Sequence, residues 1–133
     1  MLNPATPNPN APVVLVADPD PVQQQLLANA LRQRFRVVVA NNLAEAVSML
    51  VVNRPRILLL EVNQPDGNGI ELIKQIRRDP GTHNTIIACV TNRNAIKDKV
   101  AGFQAGADDY IIKPVNPDSF PWRLILLIRL HGL

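Results

Sequence analysis

Short apolar segments alternate with amphipathic segments along most of this chain. The apolar segments are continuous runs, which is typical of strands that are buried on both faces of a sheet. They lie at 13–17, 35–40, 57–60, 85–90 and 110–112. Between them, apolar residues recur at a spacing of three or four, which predicts helices. The predicted helices cover about 22–31, 43–51, 70–78, 95–105 and 119–130.

Residues that favour helix starts and turns support this division. Asn42 is followed three residues later by Glu45, a pair that caps the amino terminus of a helix. The segment 65–69 concentrates Pro, Asp, Asn and Gly, so we expect a turn there. We expect Asp118 or Ser119 to cap the last helix.

The regular alternation of strand and helix predicts one α/β domain. Its parallel sheet should be doubly wound, with helices packed on both faces. Residues 13–131 are expected to form this domain, since 133 residues are one domain's worth of chain. Residues 1–12 hold four of the twelve prolines and have no apolar periodicity, so we expect a disordered tail there.

Composition narrows the class of protein further. Hydrophobic residues make up 47% and charged residues 19%, as in globular domains. The single cysteine, Cys89, excludes an internal disulfide and suits the reducing cytoplasm. The apolar runs are shorter than the roughly 18 residues that span a bilayer, and the first residues do not resemble a secretory signal, so we expect no membrane association. The net charge is +3, but basic residues are scattered and aromatic residues are only 4%, so we expect no direct nucleic-acid binding by this segment.

Chemically coherent residues follow the predicted strands. Asp18, Glu61, Thr91 and Lys113 stand at the ends of the first, third, fourth and fifth strands, and Asp20 is close by. Ligand sites in parallel α/β sheets lie at these carboxyl ends. Clustered carboxylates need a cation, and Mg²⁺ prefers oxygen ligands. Carboxylates, a lysine and a hydroxyl together are suited to phosphoryl chemistry.

Four segments carry a resemblance to a known family. They are 14–21, 58–69, 86–91 and 105–114, of which the run Ala-Gly-Ala-Asp-Asp-Tyr-Ile-Ile-Lys-Pro is the most specific. In these segments the chain resembles response-regulator receiver domains, the phosphoacceptor modules of two-component signalling. The resemblance implies a flavodoxin-like (βα)5 fold with strand order 2-1-3-4-5. It also implies a histidine kinase as phosphodonor and a downstream output domain or separate protein as partner.

The resemblance also implies roles for individual residues. Glu61 occupies the phosphoacceptor position, and Asp18 with Asp20 would form the acidic pocket. The switch and phosphate-binding positions are Thr91, Tyr110, Lys113 and Pro114, the last after a bond that is usually cis in the family. Mg²⁺ would be held by Asp18, Glu61 and the backbone carbonyl of Asn63.

Two departures from the family pattern affect this site. The acceptor is usually an aspartate, and Glu61 is longer by one methylene, about 1.5 Å. The residue after Asp18 is usually a second acid, and here it is Pro19, which weakens the expected Mg²⁺ site. Glu61 either imitates phosphoaspartate by pairing with Lys113 and Thr91, or simply fills the pocket. Both outcomes predict an atypical receiver that acts through phosphorylation-independent protein–protein interaction.

Two other functions remain open from the sequence. One is a conventional receiver that accepts phosphate from a histidine kinase. The other is a phosphatase of the haloacid-dehalogenase type, because residues 18–22 resemble that family's Asp-x-Asp-x-Val opening, with Asp18 as nucleophile and Asp20 as acid/base. The chain has little room for the later elements of that family.

The last predicted helix is apolar on nearly every side. Trp122, Leu126 and Leu130 exceed what one buried face requires, so we expect them to form an interface. Receivers often dimerise through their fourth and fifth helices, and the resemblance therefore implies a homodimer there.

Overall fold

A computed structural model describes residues 9–132, and these form seven strands and five helices. The strands are β1 (Val13–Ala17), β2 (Arg36–Ala40), β3 (Ile57–Leu60), β4 (Asn63–Gln64), β5 (Gly67–Asn68), β6 (Ile86–Thr91) and β7 (Asp109–Ile112). The helices are α1 (Pro21–Leu31), α2 (Leu43–Asn53), α3 (Gly69–Arg78), α4 (Ile96–Ala105) and α5 (Phe120–His131).

Five of these strands form one parallel sheet, in the order β2-β1-β3-β6-β7. Strands β4 and β5 are a separate two-residue antiparallel pair at the predicted turn. Without that pair, the order is the expected 2-1-3-4-5, so the fold prediction is confirmed. Its central strands are apolar at every position except Thr91, the last residue of β6, and are buried on both faces, which explains their continuous hydrophobic runs.

Helices cover both faces of the sheet and form two cores. Helices α1 and α5 pack on one face, where Leu27 and Leu124 meet the side chains of Val14 and Val16. Helices α2 and α3 pack on the other, where Leu50 and Ile73 join a second cluster. The doubly wound arrangement leaves the two ends of the sheet free for loops.

Strand and helix ends differ from expectation by one or two residues. β2 begins at Arg36 because the Phe35 N–H still bonds to the Leu31 carbonyl, which completes the last turn of α1. The expected side-chain cap of α5 is wrong. Ser119 precedes the helix without a capping hydrogen bond, and the Asn116 carboxamide oxygen instead accepts the N–H groups of Asp118 and Ser119.

Helix α4 turns its apolar stripe away from the core, contrary to the sequence pattern. Ile96 is 79% exposed, and Val100 and Phe103 are about half exposed. The helix approaches the sheet through Gly102, where a Cβ atom would lie 3.0 Å from the Tyr110 ring. A glycine at the contact point lets the backbone come close, so the larger apolar residues are left outside.

The amino-terminal segment and the membrane prediction can be compared with residues 9–132. The predicted tail, 1–12, lies mostly outside the described residues. Its last carbonyl, on Pro12, accepts the Arg36 N–H and extends the pairing of β1 with β2. Within the described part of the chain, no helix is long and apolar enough to cross a membrane.

Two caps fix the amino terminus of α2. The Asn42 side chain accepts the Glu45 N–H at 2.8 Å, as predicted. Asp66, in the turn between β4 and β5, accepts the N–H groups of Leu43 and Ala44 at 2.9 and 3.0 Å. The hydrogen bond from the Leu43 backbone, joined by that from Ala44, lowers the pKa of Asp66. This cross-connection ties the loop after β3 to α2.

We expect Asp66→Asn to lower the thermal unfolding temperature, since the amide has one acceptor oxygen and no charge. A carboxyl group with a lowered pKa stabilises the fold above its unfolded pKa of about 4, and this contribution disappears as the pH falls through the lower folded pKa. Calorimetry should therefore show a stability gap at pH 7 that closes at the acid end. Asp118→Asn, which removes an exposed loop carboxylate, is the matched control. Equal effects of the two variants would contradict the capping role.

Candidate functional site

The sheet brings together the four residues that the sequence places after its strands. β1, β3 and β6 are neighbours, so Asp18, Glu61 and Thr91 stand side by side at one edge. Lys113 follows β7 and extends over the same edge, where its ammonium group reaches β1 and β3. All four side chains are largely buried.

Lys113 bonds to two carboxylates at once. Its Nζ atom lies 2.8 Å from Asp18 Oδ2 and 2.9 Å from Glu61 Oε1. The side chains of Lys113, Asp18 and Glu61 are 6%, 3% and 9% exposed. Burial alone would lower the pKa of Lys113, but the hydrogen bonds to the two carboxylates outweigh it and raise that pKa above its ordinary value. The lysine is therefore held fully charged.

The other two carboxylate oxygens also have donors. Asp18 Oδ1 accepts the Asp20 N–H at 2.9 Å, and Glu61 Oε2 accepts the Asn63 N–H at 3.1 Å. Each of the four oxygens thus accepts one hydrogen bond from the protein. Two negative charges face one positive charge, so this site, the Lys113–Asp18–Glu61 triad, has a residual charge of only about −1.

Asp20 does not join the triad. It is the N-cap of α1, and its Oδ1 accepts the Val22 N–H at 2.9 Å while the side chain stays exposed. The Asp20 carboxylate caps the helix because the N–H groups of the first turn need acceptors. The predicted acidic pocket therefore contains Asp18 without Asp20.

The residues present fit Mg²⁺ poorly. Among residues 9–132, no group of three or more His, Cys, Asp or Glu side chains is placed to hold a metal ion. Of the expected ligands, the carboxylates of Asp18 and Glu61 each already bond to Lys113. Pro19 offers no carboxylate where a second acid would neutralise the cation.

Thr91 is close to the triad without bonding to it. Its side chain is fully buried, and its Oγ1 accepts the Arg93 N–H at 3.3 Å. The structure contains no hydrogen bond between Thr91 and Glu61. Of the two contacts expected for an imitation of phosphoaspartate, the one to Lys113 is therefore present and the one to Thr91 is absent.

Sequence reasoning missed Arg93, which lies over the loops beside the site. Its Nη1 donates to Asn63 Oδ1 at 2.9 Å and its Nε pairs with Asp98 at 3.3 Å. Its carbonyl accepts the Tyr110 hydroxyl at 2.7 Å. Burial of the ring raises the pKa of Tyr110 to about 12, so the phenol stays a donor. The available signal was a basic residue two positions after the Thr91 strand end.

The remaining expected residues have these positions. The Lys113–Pro114 peptide bond is cis, as the resemblance implied. Trp122, Leu126 and Leu130 are all more than half exposed on α5. The Arg34 guanidinium lies 4.3 Å from the centre of the Trp122 ring, so this end of the stripe faces α1 and not α4.

Comparison with known proteins agrees with this geometry. The family model of the response regulator receiver domain matches residues 14–124. The transcriptional regulatory protein PrrA of Mycobacterium tuberculosis is 35% identical over 124 residues, 92% of this chain and 52% of that protein. The phosphate regulon transcriptional regulatory protein PhoB of Escherichia coli is 31% identical over 117 residues, 88% of this chain and 51% of that protein. The chain thus spans about half the length of these relatives.

A solved structure shows the same fold. The crystal structure of a response regulator from Chloroflexus aurantiacus superposes with a TM-score of 0.85 at 30% identity, covering 90% of this chain and 99% of that one. The sheet order, the residues at the strand ends and the family match over most of the chain agree. This chain therefore belongs to the response regulator receiver domain family.

Proposed function

We propose that this receiver domain is atypical and signals by phosphorylation-independent protein–protein interaction, without catalytic turnover of its own. The observation that carries the proposal is the 2.9 Å contact between Glu61 Oε1 and Lys113 Nζ. In a receiver that accepts a phosphoryl group, a lysine at this position is available to the phosphate. Here two of the three N–H donors of Lys113 already bond to carboxylates, one of them the longer Glu61.

Geometry and charge both disfavour phosphoryl transfer to Glu61. The extra methylene moves the carboxylate by about 1.5 Å, and a misplacement of about 1 Å can slow a reaction roughly a hundredfold. Lys113 neutralises one of the two negative charges, and within residues 9–132 no third acid joins the triad to attract Mg²⁺. Mg²⁺ would supply charge neutralisation at the transferring phosphoryl group if it were bound, but these residues hold it weakly.

The conventional phosphoaccepting receiver is the second candidate, and one observation favours it. Asp18, Thr91 and Lys113 are all assembled at one edge of the sheet, although Thr91 donates nothing to Glu61. A phosphatase of the haloacid-dehalogenase type has less support, because the Asp20 carboxylate caps α1 and is not available as the acid/base partner of Asp18.

The kind of partner is inferred from the length of the relatives. PrrA and PhoB are named transcriptional regulatory proteins and are about twice as long as this chain. The receiver would therefore act on an output domain or on a separate protein in the cytoplasm, without contacting nucleic acid or membrane itself. A histidine kinase is the partner only under the conventional alternative.

The exposed apolar surface of α4 and α5 would serve as the contact surface. Leu126 and Leu130 on α5 are 56% and 63% exposed, and Ile96 and Phe103 are exposed on α4. The two helices lie on either side of the edge strand β7, which α4 contacts through Gly102 and α5 through the Arg123–Asp109 ion pair. Apolar residues exposed in this number along one edge of a domain mark an interaction site more often than chance exposure. We assign to it a homodimer of this chain.

The first test is intact mass after incubation with acetyl phosphate and Mg²⁺. We expect the wild-type protein to stay unmodified. The double variant Pro19→Asp/Glu61→Asp, which restores the shorter acceptor and the second acid, should gain one phosphoryl group. Labelling of the wild type at Glu61 would overturn the proposal in favour of the conventional receiver.

A matched control identifies the labelled residue. Pro19→Asp/Glu61→Asn has the same size and the same restored acid but no acceptor carboxylate, and it should stay unmodified. Labelling of this control would place the phosphoryl group elsewhere on the chain.

The second test concerns the dimer. We expect Leu126→Glu to raise the dimer dissociation constant at least about tenfold, because it buries a charge in an apolar contact. Light scattering across a concentration series measures this constant. Val52→Glu on α2, where the residue is 78% exposed, is the control and should leave it unchanged. A wild-type protein that is monomeric at all concentrations would refute the dimer.

A further inference from the structure

Arginines concentrate at the end of the sheet opposite the triad. The parallel strands begin there and all the helices end there, so residues of many connections share one surface. The arginines on it include Arg36, Arg54, Arg56, Arg78 and Arg129. Those at helix ends are expected, because cations complement the negative end of the helix dipole. Arg56 precedes β3, and its guanidinium lies beside Gly132 at the end of α5.

Arg54 and Arg56 line one concave region of this surface. A depression of about 220 Å³ lies between the α2–β3 connection and the loop before β6. Leu50, Pro55 and Pro80 give it apolar walls, and Asn84 adds a polar group. A second depression of about 420 Å³ adjoins it, and both are lined by Arg56 and Asn84. The two together are large enough for a small organic anion.

The charges of these two arginines are not neutralised locally. In the described part of the chain, neither Arg54 nor Arg56 forms an ion pair, and both side chains are exposed. The acids of the adjoining loops are engaged elsewhere. Asp79 accepts the Gly81 N–H at 2.8 Å, and Asp108 pairs with Arg77 at 2.9 Å.

The backbone holds Arg54 at the depression in an unusual conformation. It follows the last residue of α2 with a φ of 46°, a left-handed conformation that glycine or asparagine usually occupies at this position. Pro55 is buried and sets the chain direction between the two arginines. We interpret an arginine at a backbone position that favours glycine as a sign that its side chain has a binding role.

The opposite wall is also ordered before any ligand binds. The Arg77 guanidinium donates to the carbonyls of His83 and Thr85 at 2.8 and 2.6 Å. The Thr82 hydroxyl donates to the Ile76 carbonyl at 2.9 Å, which fastens the loop to α3. A preformed wall reduces the entropic cost of binding.

We propose that this depression binds the phosphate group of a small molecule, with Arg54 and Arg56 as its charged ligands. Guanidinium groups pair with phosphate oxygens through two parallel N–H donors, a geometry that favours phosphate over halide ions. The apolar walls beside the arginines suit the organic part of a phosphate ester. The depression shares no residue with the triad, so this proposal does not depend on the role assigned to Glu61.

Titration of ¹⁵N-labelled protein with inorganic pyrophosphate, without divalent cations, tests the site. We expect saturable shifts of the amides of Arg56, Gly81 and Thr85. Arg54→Gly and Arg56→Gln should each weaken binding about tenfold, the effect of losing a hydrogen bond to a charged group. Because glycine suits the backbone of residue 54, Arg54→Gly should unfold at a temperature no lower than the wild type, so lost binding would not reflect lost folding.

ADP as a second probe distinguishes two sources of the phosphate group. Tighter binding of ADP than of pyrophosphate indicates a nucleotide, and equal binding indicates a free phosphate anion.

Arg78→Gln is the matched control, since it removes an equal charge from the same end of the molecule outside the depression. It should change the affinity less than about twofold, as expected for a screened charge beyond contact distance. Equal weakening by Arg78→Gln would mean a diffuse positive field and would overturn the proposal. Shifts centred on Thr91 and Lys113, no saturable shift, or tighter binding of a DNA duplex than of either probe would overturn it as well.

Discussion

Two buried carboxylates share one buried ammonium group, and the functional edge of the sheet depends on this arrangement. Asp18 and Glu61 would repel each other if Lys113 were absent, and breaking a buried ion pair typically costs about 3–5 kcal/mol. The three side chains follow β1, β3 and β7, so their contacts at 2.8 and 2.9 Å tie together strand ends from distant parts of the chain. The triad therefore holds the strand ends together and also supplies the charged groups of the site.

The triad also limits what the site can do. A phosphoacceptor site needs a free carboxylate, a cation that attracts the donor, and a lysine ready to receive charge. Here the lysine and the carboxylates satisfy one another, and the loops around them are joined through Arg93 to Asn63 and Asp98. Under the proposed function, such a site holds a fixed shape and does not accept a phosphoryl group. Binding surfaces elsewhere on the domain would then carry the signal.

The fold separates charge between its two ends. Strand ends and helix starts meet at one edge, where carboxylates serve as caps, as Asp20 and Asp66 do. Helix ends meet at the other edge, where arginines collect. Both preferences follow from the unpaired N–H and C=O groups of helix termini. A parallel α/β domain therefore has an intrinsic polarity. Arg54 and Arg56 differ from the charges of the triad, because neither forms an ion pair within residues 9–132.

Local pattern was sufficient for most of the fold. Continuous apolar runs marked the strands because those strands are buried on both faces, and the pair Asn42 and Glu45 marked a helix start because its hydrogen bonds are local. The positions of Asp18, Glu61, Thr91 and Lys113 after strands were enough to bring them to one edge, since parallel strands end together. The family resemblance supplied the strand order, which periodicity alone does not contain.

Tertiary structure decided which of several chemically reasonable partners each side chain takes. Asp20 could have faced the pocket, but its carboxylate accepts a hydrogen bond from the Val22 N–H in the first turn of α1. Arg93 joined the site through contacts with Asn63, 30 positions before it, and with Asp98 in the following helix. Helix α4 turned its apolar stripe outward because Gly102 allows close packing against Tyr110. Sequence periodicity specifies which residues share a face, whereas the direction of that face and the competition for hydrogen bonds depend on atoms that only the folded chain brings near.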